Sequence, residues 1–291
     1  MATRVGFVWL DYIQLTKPRI VMLFALTGFT TLVVEGVFLE RPIWSLWVVL
    51  MIAVCGGAAN AFNQYLERDL DAKMQRTKTR RPLPQGKVSP EGARIFAILL
   101  TILTGIFFAL FTDPIAFLFA LGTIVFYSWF YTIWLKPRTP YNIVIGGAAG
   151  AAAPLIASAA ATGSVSAIAW ILFLIVFLWT PPHFWALALH CKKDYADVGI
   201  PMLPLIHGDE ATRRQIFGYC LVLVPLTLIF YPLKMAGWIY LSVALCSGAY
   251  LLYQAGQLFL RKNNEKAFRL FGYSIGYLFL LFVGLIVDRL I

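Results

Sequence analysis

Charge is what this sequence has least of. Only 13% of its 291 residues are Asp, Glu, Lys or Arg, where a soluble domain carries roughly a quarter. Acidic residues number fourteen and histidines three, against 60% hydrophobic residues. The mean hydropathy of +0.77 makes lipid the natural solvent. The four cysteines, Cys55, Cys191, Cys220 and Cys246, form no CxxC pair, which argues against a thiolate zinc site and a disulfide framework. No polar stretch is long enough for a separate soluble unit, so a single membrane domain over 1–291 is expected. A cleavable signal peptide is not expected either: Asp11, Lys17 and Arg19 crowd the first nineteen residues, and the apolar run there is short. The first long apolar stretch is expected to act as an uncleaved signal.

What is present is a series of apolar runs. A spanning helix needs about 20 mostly apolar residues, and nine stretches qualify: 20–38, 43–62, 93–111, 115–135, 143–161, 167–189, 216–233, 238–259 and 271–287. The expected fold is all-α, an integral membrane bundle of about nine transmembrane helices. Gly146 to Ala153 is a run of small residues that permits close helix contact. Of the 24 basic residues, all but Arg41, Lys234 and Arg289 fall in the N-terminal tail (Arg4, Lys17, Arg19) or in the loops after the second, fourth, sixth and eighth stretches. The positive-inside bias then puts the N-terminus in the cytoplasm and the C-terminus outside. It also accounts for the net charge of +10, so nucleic acid is not an expected partner and the lipid bilayer is. The two longest loops, about 63–92 and 190–215, are four helices apart and share a face, as in a parallel repeat.

Chemistry concentrates on those loops. Asn63, Glu67 and Asp71 are spaced i, i+4, i+8 with no Pro or Gly between them. On a continuing helix they stack on one face. Two carboxylates and an amide oxygen are hard ligands of the kind Mg²⁺ takes beside substrate phosphates. The segment Arg76-Thr77-Lys78-Thr79-Arg80-Arg81 follows at once, and such cations suit a phosphate-bearing ligand. Taken alone it reads as a basic loop on anionic lipid; the acidic stripe beside it tips the balance. Lys193 and Asp194 are placed to complete a metal–phosphate site from the opposite side, and Lys136 lies on the same face. His183 sits about two turns deeper than His190 among apolar and aromatic residues. An ionisable residue at that depth is a functional candidate, set against the plainer reading of a neutral His bonded to a neighbouring helix. Pro181-Pro182 are expected to break or kink the sixth helix beside it.

The stripe and the Arg76-Thr77 segment resemble the first aspartate-rich motif of the UbiA superfamily of membrane prenyltransferases. Glu67-Arg68-Asp69-Leu70-Asp71-Ala72-Lys73-Met74, Pro182-His183-Phe184-Trp185-Ala186-Leu187, Lys193-Asp194-Tyr195 and Gly199-Ile200-Pro201-Met202-Leu203-Pro204 look like its protoheme IX farnesyltransferase (haem O synthase) branch. The resemblance covers nearly the whole chain. It departs from the superfamily pattern at Gln64 and Glu67, which stand where aspartates are usual, and in the loss of spaced aspartates from the second motif. It implies a UbiA-like bundle whose loops after helices 2 and 6 cap the active site. It implies farnesyl diphosphate and haem B as substrates, haem O as product and Mg²⁺ as cofactor. In that reading Asn63, Glu67 and Asp71 hold the metal and act in catalysis with Asp194. Arg76, Lys78, Arg80, Lys136 and Lys193 bind diphosphate, and His183 contacts haem. It further implies residence in the cell inner (cytoplasmic) membrane, with a haem A synthase or a terminal oxidase in assembly as neighbours. The competing readings are a prenyltransferase acting on an aromatic or quinone precursor, a secondary transporter, and a haem-binding assembly factor without catalysis.

Overall fold

The computed structural model of the chain describes residues 8–262 and 264–291; Arg4 lies outside them. Among the described residues the long helices are α1 (Pro18–Val34), α2 (Pro42–Leu66), α3 (Pro90–Phe111), α4 (Pro114–Leu135), α5 (Asn142–Thr162), α6 (Ala167–His190), α7 (Gly208–Leu228), α8 (Trp238–Arg261) and α9 (Glu265–Leu290). The sequence punctuates them by familiar chemistry. Ser89, Asp113 and Ser166 cap α3, α4 and α6 by accepting from backbone N–H groups one turn in, satisfying donors a helix start leaves free. Proline opens α1 to α4, where its missing N–H costs nothing.

Seven of these helices, α2 to α6 with α8 and α9, are long and apolar enough to cross a membrane, and an eighth span arises if the bent pair Trp9–Leu15 and Pro18–Val34 is taken as one. The remaining expected stretch, 216–233, overlaps α7, which ends at Leu228. That helix begins eight residues earlier than its apolar run, with Asp209, Glu210, Arg213 and Arg214 in its first turns. These charges leave α7 less apolar along its length than the seven. The expected break at Pro181-Pro182 does not occur. α6 runs through both prolines from Ala167 to His190, as membrane helices can when neighbouring groups take over the freed carbonyls.

Each long helix packs on the next in chain order, and α9 returns to pack on α1, closing a ring. α5 runs through the centre, touching α1, α4 and α6; 78% of its most apolar stretch is buried, against 17% for α3. Its small residues make this possible. A Cβ on Gly146 would fall inside the Tyr131 ring of α4, and one on Gly147 would lie 3.0 Å from Thr180 Cγ2 of α6. On peripheral α3, Ile95, Leu99, Ile102, Ile106 and Leu110 form an exposed stripe at helical spacing, an apolar face with lipid as its partner.

Buried apolar residues gather in two cores. One joins α1 to α5 around Phe24, Ile52, Ala97, Ala120 and Ile156. The other joins α6 to α9 around Trp185, Leu223, Tyr240, Tyr277 and Leu281. Met74, in the loop after α2, packs into the second core with Tyr195 and Met202 of the loop after α6. Met74 thus joins the first loop to the second half of the bundle.

Candidate active site at the mouth of the bundle

α2 ends at Leu66, and Glu67 carries the break into a short helix, Arg68–Lys73. The backbone ladder nevertheless continues through it: Glu67 N donates to Asn63 O at 2.9 Å and Asp71 N to Glu67 O at 2.8 Å. Asn63, Glu67 and Asp71 therefore keep a common face, as their spacing predicts, and all three are buried.

Each meets a basic group. Asn63 Oδ1 accepts from Lys17 Nζ at 2.8 Å. Glu67 is paired with Lys136 on one oxygen and approached at 3.5 Å by Arg81 Nη1 on the other. The same Arg81 Nη1 is hydrogen-bonded to Asp71. A single cationic nitrogen thus bridges both carboxylates. Burial alone would push Glu67 up, but Lys136 and Arg81 outweigh it and hold its carboxyl below the usual range. At Asp71 burial prevails: Arg81 offsets part of it, the nearby Glu67 charge adds to it, and the carboxyl is raised. The two acids are pushed apart by their surroundings, a pattern typical of functional sites.

α4 supplies the far wall. From Phe126 to Leu135 it is wound as a π-helix, a rare form concentrated at functional sites. Rings four residues apart stack along it, Tyr127 on Tyr131 and Phe130 on Trp134. The segment delivers Thr132 to Asn63, whose Nδ2 donates to Thr132 Oγ1 at 3.0 Å, and Lys136 to Glu67.

The second loop arrives through Asp194, whose Oδ2 accepts from the backbone N of Arg76 at 3.2 Å. Asp194 thus anchors the first loop. Arg76 is half-buried, with no partner for its Nε. Lys78, Arg80 and Lys193 are exposed, so they form a rim and the inner positions go to Arg81, Lys136 and Lys17. His183 lies on α6 between the rings of Trp179 and Phe271, with centroids at 4.3 and 4.4 Å. Its Nδ1 is 2.7 Å from Ser274 Oγ on α9. The Ser274 hydroxyl also lies within hydrogen-bond reach of Phe271 O, at 2.7 Å, so His183 Nδ1 is engaged by α9 and Nε2 is the ring nitrogen turned from Ser274. His183 is thus bonded to a neighbouring helix, and the mouth residues lie elsewhere.

Lys17, Arg81 and Thr132 were not singled out by the sequence. Lys17 has a signal in the backbone: its φ of 54° lies in the left-handed region, a strained conformation for a non-glycine and one that clusters at functional sites. Gln64, one of the departures noted above, has a role here. Its Nε2 donates to Gln14 O at 3.1 Å and Leu15 O at 3.0 Å. It ties the N-terminal helix Val8–Leu15 to α2, and so holds Lys17 over Asn63.

Among the described residues no three of His, Cys, Asp and Glu assemble as a closed metal nest. The donor set fits Mg²⁺ in its open manner, with two carboxylates and an amide oxygen leaving room for waters and phosphate. The position of Arg81 Nη1 between Glu67 and Asp71 shows that one cation can serve both.

Comparison with known proteins identifies the fold and the family. The UbiA prenyltransferase family profile matches residues 21–283. A protoheme IX farnesyltransferase of Gloeobacter violaceus is 47% identical over 281 residues, spanning 96% of this chain and 92% of that one. A protoheme IX farnesyltransferase 1 of Pseudomonas fluorescens is 45% identical over 97% of this chain and 94% of its own length. Among solved structures, a digeranylgeranylglyceryl phosphate synthase superposes with a TM-score of 0.79 at 20% identity, covering 98% of this chain and 99% of that one. A UbiA homologue from Archaeoglobus fulgidus, bound to DMAPP and Mg²⁺, gives 0.63 at 18% identity over 94% and 99%. At such identities the structures speak for the fold, and the close relatives for the family. The chain is a multi-pass membrane protein of the UbiA prenyltransferase family and belongs, within it, to the protoheme IX farnesyltransferases.

Proposed function

We propose that the chain transfers the farnesyl group of farnesyl diphosphate to a vinyl group of protohaem IX (haem B), with addition of water, giving haem O and diphosphate. The observation that carries the site assignment is the bridge from Arg81 to both Glu67 and Asp71, flanked by Lys136 and Lys17. Buried acids and bases interleaved at the mouth of an apolar bundle suit a ligand that is anionic at one end and hydrocarbon at the other.

Asn63, Glu67 and Asp71 would hold Mg²⁺, which when bound supplies Lewis-acid stabilisation of the leaving diphosphate. Arg81 and Lys136 are placed to turn from the carboxylates, and Lys17 from the Asn63 amide, to phosphate oxygens as charge grows there, with preorganised donors aimed at developing charge. Arg76 approaches from the Asp194 side, while Lys78, Arg80 and Lys193 draw the anion to the rim. The allylic C–O bond breaks with its electron pair leaving on diphosphate. The vinyl π-electrons form the new C–C bond to the farnesyl cation. Water adds to the resulting cation next to the ring and releases a proton, leaving a hydroxyethylfarnesyl group.

His183 is the assigned haem contact, presenting Nε2 to iron, which commonly takes a histidine ligand. The distribution of basic residues supports a mouth on the cytoplasmic side of the cell inner membrane, and nine spans, with α1 and α7 counted among them, would set the C-terminus outside. The product is expected to pass to a haem A synthase or a terminal oxidase. The test is direct. Purified protein given haem B and farnesyl diphosphate should form haem O, identified by mass, with Mg²⁺ and not with EDTA. Prenylation of a quinone precursor with no haem O would favour the other branch and overturn the assignment.

A further inference from the structure

Threonines in the spanning helices bond their hydroxyls to nearby carbonyls. Thr101, Thr104, Thr123 and Thr180 each reach the carbonyl four residues back. Thr132 differs: its Oγ1 donates to Tyr127 O, five residues back, at 2.8 Å. That reach belongs to the π winding of the segment, seen again where Lys136 N donates to Tyr131 O at 2.9 Å. The hydroxyl has one proton, and Tyr127 takes it. What remains on Oγ1 is acceptor capacity, so only a donor can face it, and Asn63 Nδ2 does so at 3.0 Å.

The consequence falls on the other end of the amide. With Nδ2 turned to Thr132, Asn63 Oδ1 must point the opposite way, where it meets Lys17 Nζ at 2.8 Å. The reversed amide would set NH₂ against the Lys17 Nζ donor and a carbonyl against an oxygen whose proton is already used. Two independent neighbours therefore demand the same orientation. Both Asn63 and Thr132 are buried, so water cannot substitute cheaply for either contact.

We infer that Thr132 is a positioning residue: held by the π-helix, its hydroxyl locks the Asn63 amide with Oδ1 facing the mouth. This rests on the reading of Asn63 as a metal-facing amide. Such supporting contacts hold a ligand's orientation, and their loss typically costs about 10–100-fold in metal affinity. Thr132→Val keeps the shape and β-branching and removes only the hydroxyl. Thr132→Ser keeps the hydroxyl.

The experiment is a titration of Mn²⁺, read by electron paramagnetic resonance, into purified protein with a non-cleavable farnesyl diphosphate analogue. Thr132→Val should weaken Mn²⁺ binding about tenfold or more, and Thr132→Ser should bind close to the parent. In an Asn63→Ala background Thr132→Val should add nothing, because the two act through one group. Weakened binding in Asn63→Ala with parental binding in Thr132→Val would overturn the positioning role and leave the metal reading standing. Parental binding in Asn63→Ala would overturn the metal reading and this inference with it. Should Thr132→Val fail to fold, Thr132→Ala enters the same cycle, and full additivity with Asn63→Ala is the overturning result.

Discussion

The loops after α2 and α6 leave the bundle at the same end and touch through Arg76 and Asp194, yet they treat polar groups in opposite ways. The first buries them. Glu67 and Asp71 are almost wholly shielded, and Arg81 and Lys136 are drawn in after them. The second leaves its charges wet. Lys192 and Asp209 pair at 2.8 Å, with side chains 41% and 30% exposed, an arrangement worth about 0–1 kcal/mol. Apart from Arg213, which is buried against Asn264, what the second half gathers is aromatic: Trp179, His183 and Phe271 stack, and Phe271 stacks on Phe268. Burying ions is costly, and removing one partner of a buried pair is strongly destabilising. A chain with fourteen acidic residues that shields two of them this way has placed them for chemistry. On the proposed function, the difference separates two tasks, a charged mouth for the diphosphate and a stacked-ring seam for the planar acceptor.

The largest break in that division should come from Asp71→Ala. It removes a proposed metal ligand and strips Arg81 of its hydrogen-bonded partner. Turnover should fall by about 10³-fold or more, the upper scale for losing one group aimed at transition-state charge, and Mg²⁺-dependent binding of a farnesyl diphosphate analogue should vanish with it. Turnover within tenfold of the parent would refute the assignment.

Arg81→Met comes next and discriminates more finely. In EDTA it leaves two buried acids facing each other, and the thermal unfolding midpoint should drop by the equivalent of about 3–5 kcal/mol. Mg²⁺ should restore part of the loss, because Glu67 and Asp71 are the carboxylates that would hold it. Acidification of the metal-free parent supplies the pH test. Glu67 is held below its ordinary value, so its contribution is present above the usual carboxylate range, near about 4.3, and is lost as pH falls through its depressed folded value. Asp71 is raised, so its charge costs stability above its folded value and that cost is relieved as it protonates. The midpoint should therefore hold or rise slightly on first acidification and fall only at lower pH, and Glu67→Gln should remove the late fall. In Arg81→Met the Asp71 step should move to higher pH, because the charge that lowers it is gone. An unchanged acid profile would show that Arg81 does not govern the pair.

How much of this was legible in the sequence follows from what each residue depends on. Asn63, Glu67 and Asp71 were legible because a helical face is a local property, fixed by spacing alone. The apolar runs were legible for the same reason; at α7 the helix begins before the run, because its charged first turns precede residue 216. Arg81, Lys17 and Thr132 depend on where separate elements cross. Lys17 lies 46 positions from its partner and Thr132 lies 69 from its own. Nothing in the run Arg76 to Arg81 says that the last cation turns inward while Lys78 and Arg80 stay exposed. The π winding of α4 was equally hidden, since Phe126 to Leu135 has the composition of any aromatic membrane segment.

On the second side of the comparison, His183→Ala should lower haem affinity by at least about tenfold, the scale of a lost stacking contact and hydrogen bond together. Binding of the diphosphate analogue should stay at the parental level, because the His183 contacts run to α9 and not to the mouth. A Soret titration beside an analogue-binding assay reads both. Equal losses in the two assays would mean that His183 holds the bundle together and does not select the acceptor.

The smallest effect is expected where the sequence first placed weight. Lys78 and Arg80 stand in the densest cationic run, but both side chains face solvent, where salt screens a charge within about 10 Å at 0.1 M. The double variant Lys78→Ala/Arg80→Ala should leave kcat unchanged and raise KM for farnesyl diphosphate by no more than about threefold, since a rim charge acts mainly on the rate of encounter. The increase should shrink further as salt is added, because added ions already do to the parent what the substitutions do to the variant. A fall in kcat that persists at high salt would mean that these two side chains turn inward with substrate and share the work assigned to Arg81 and Lys136.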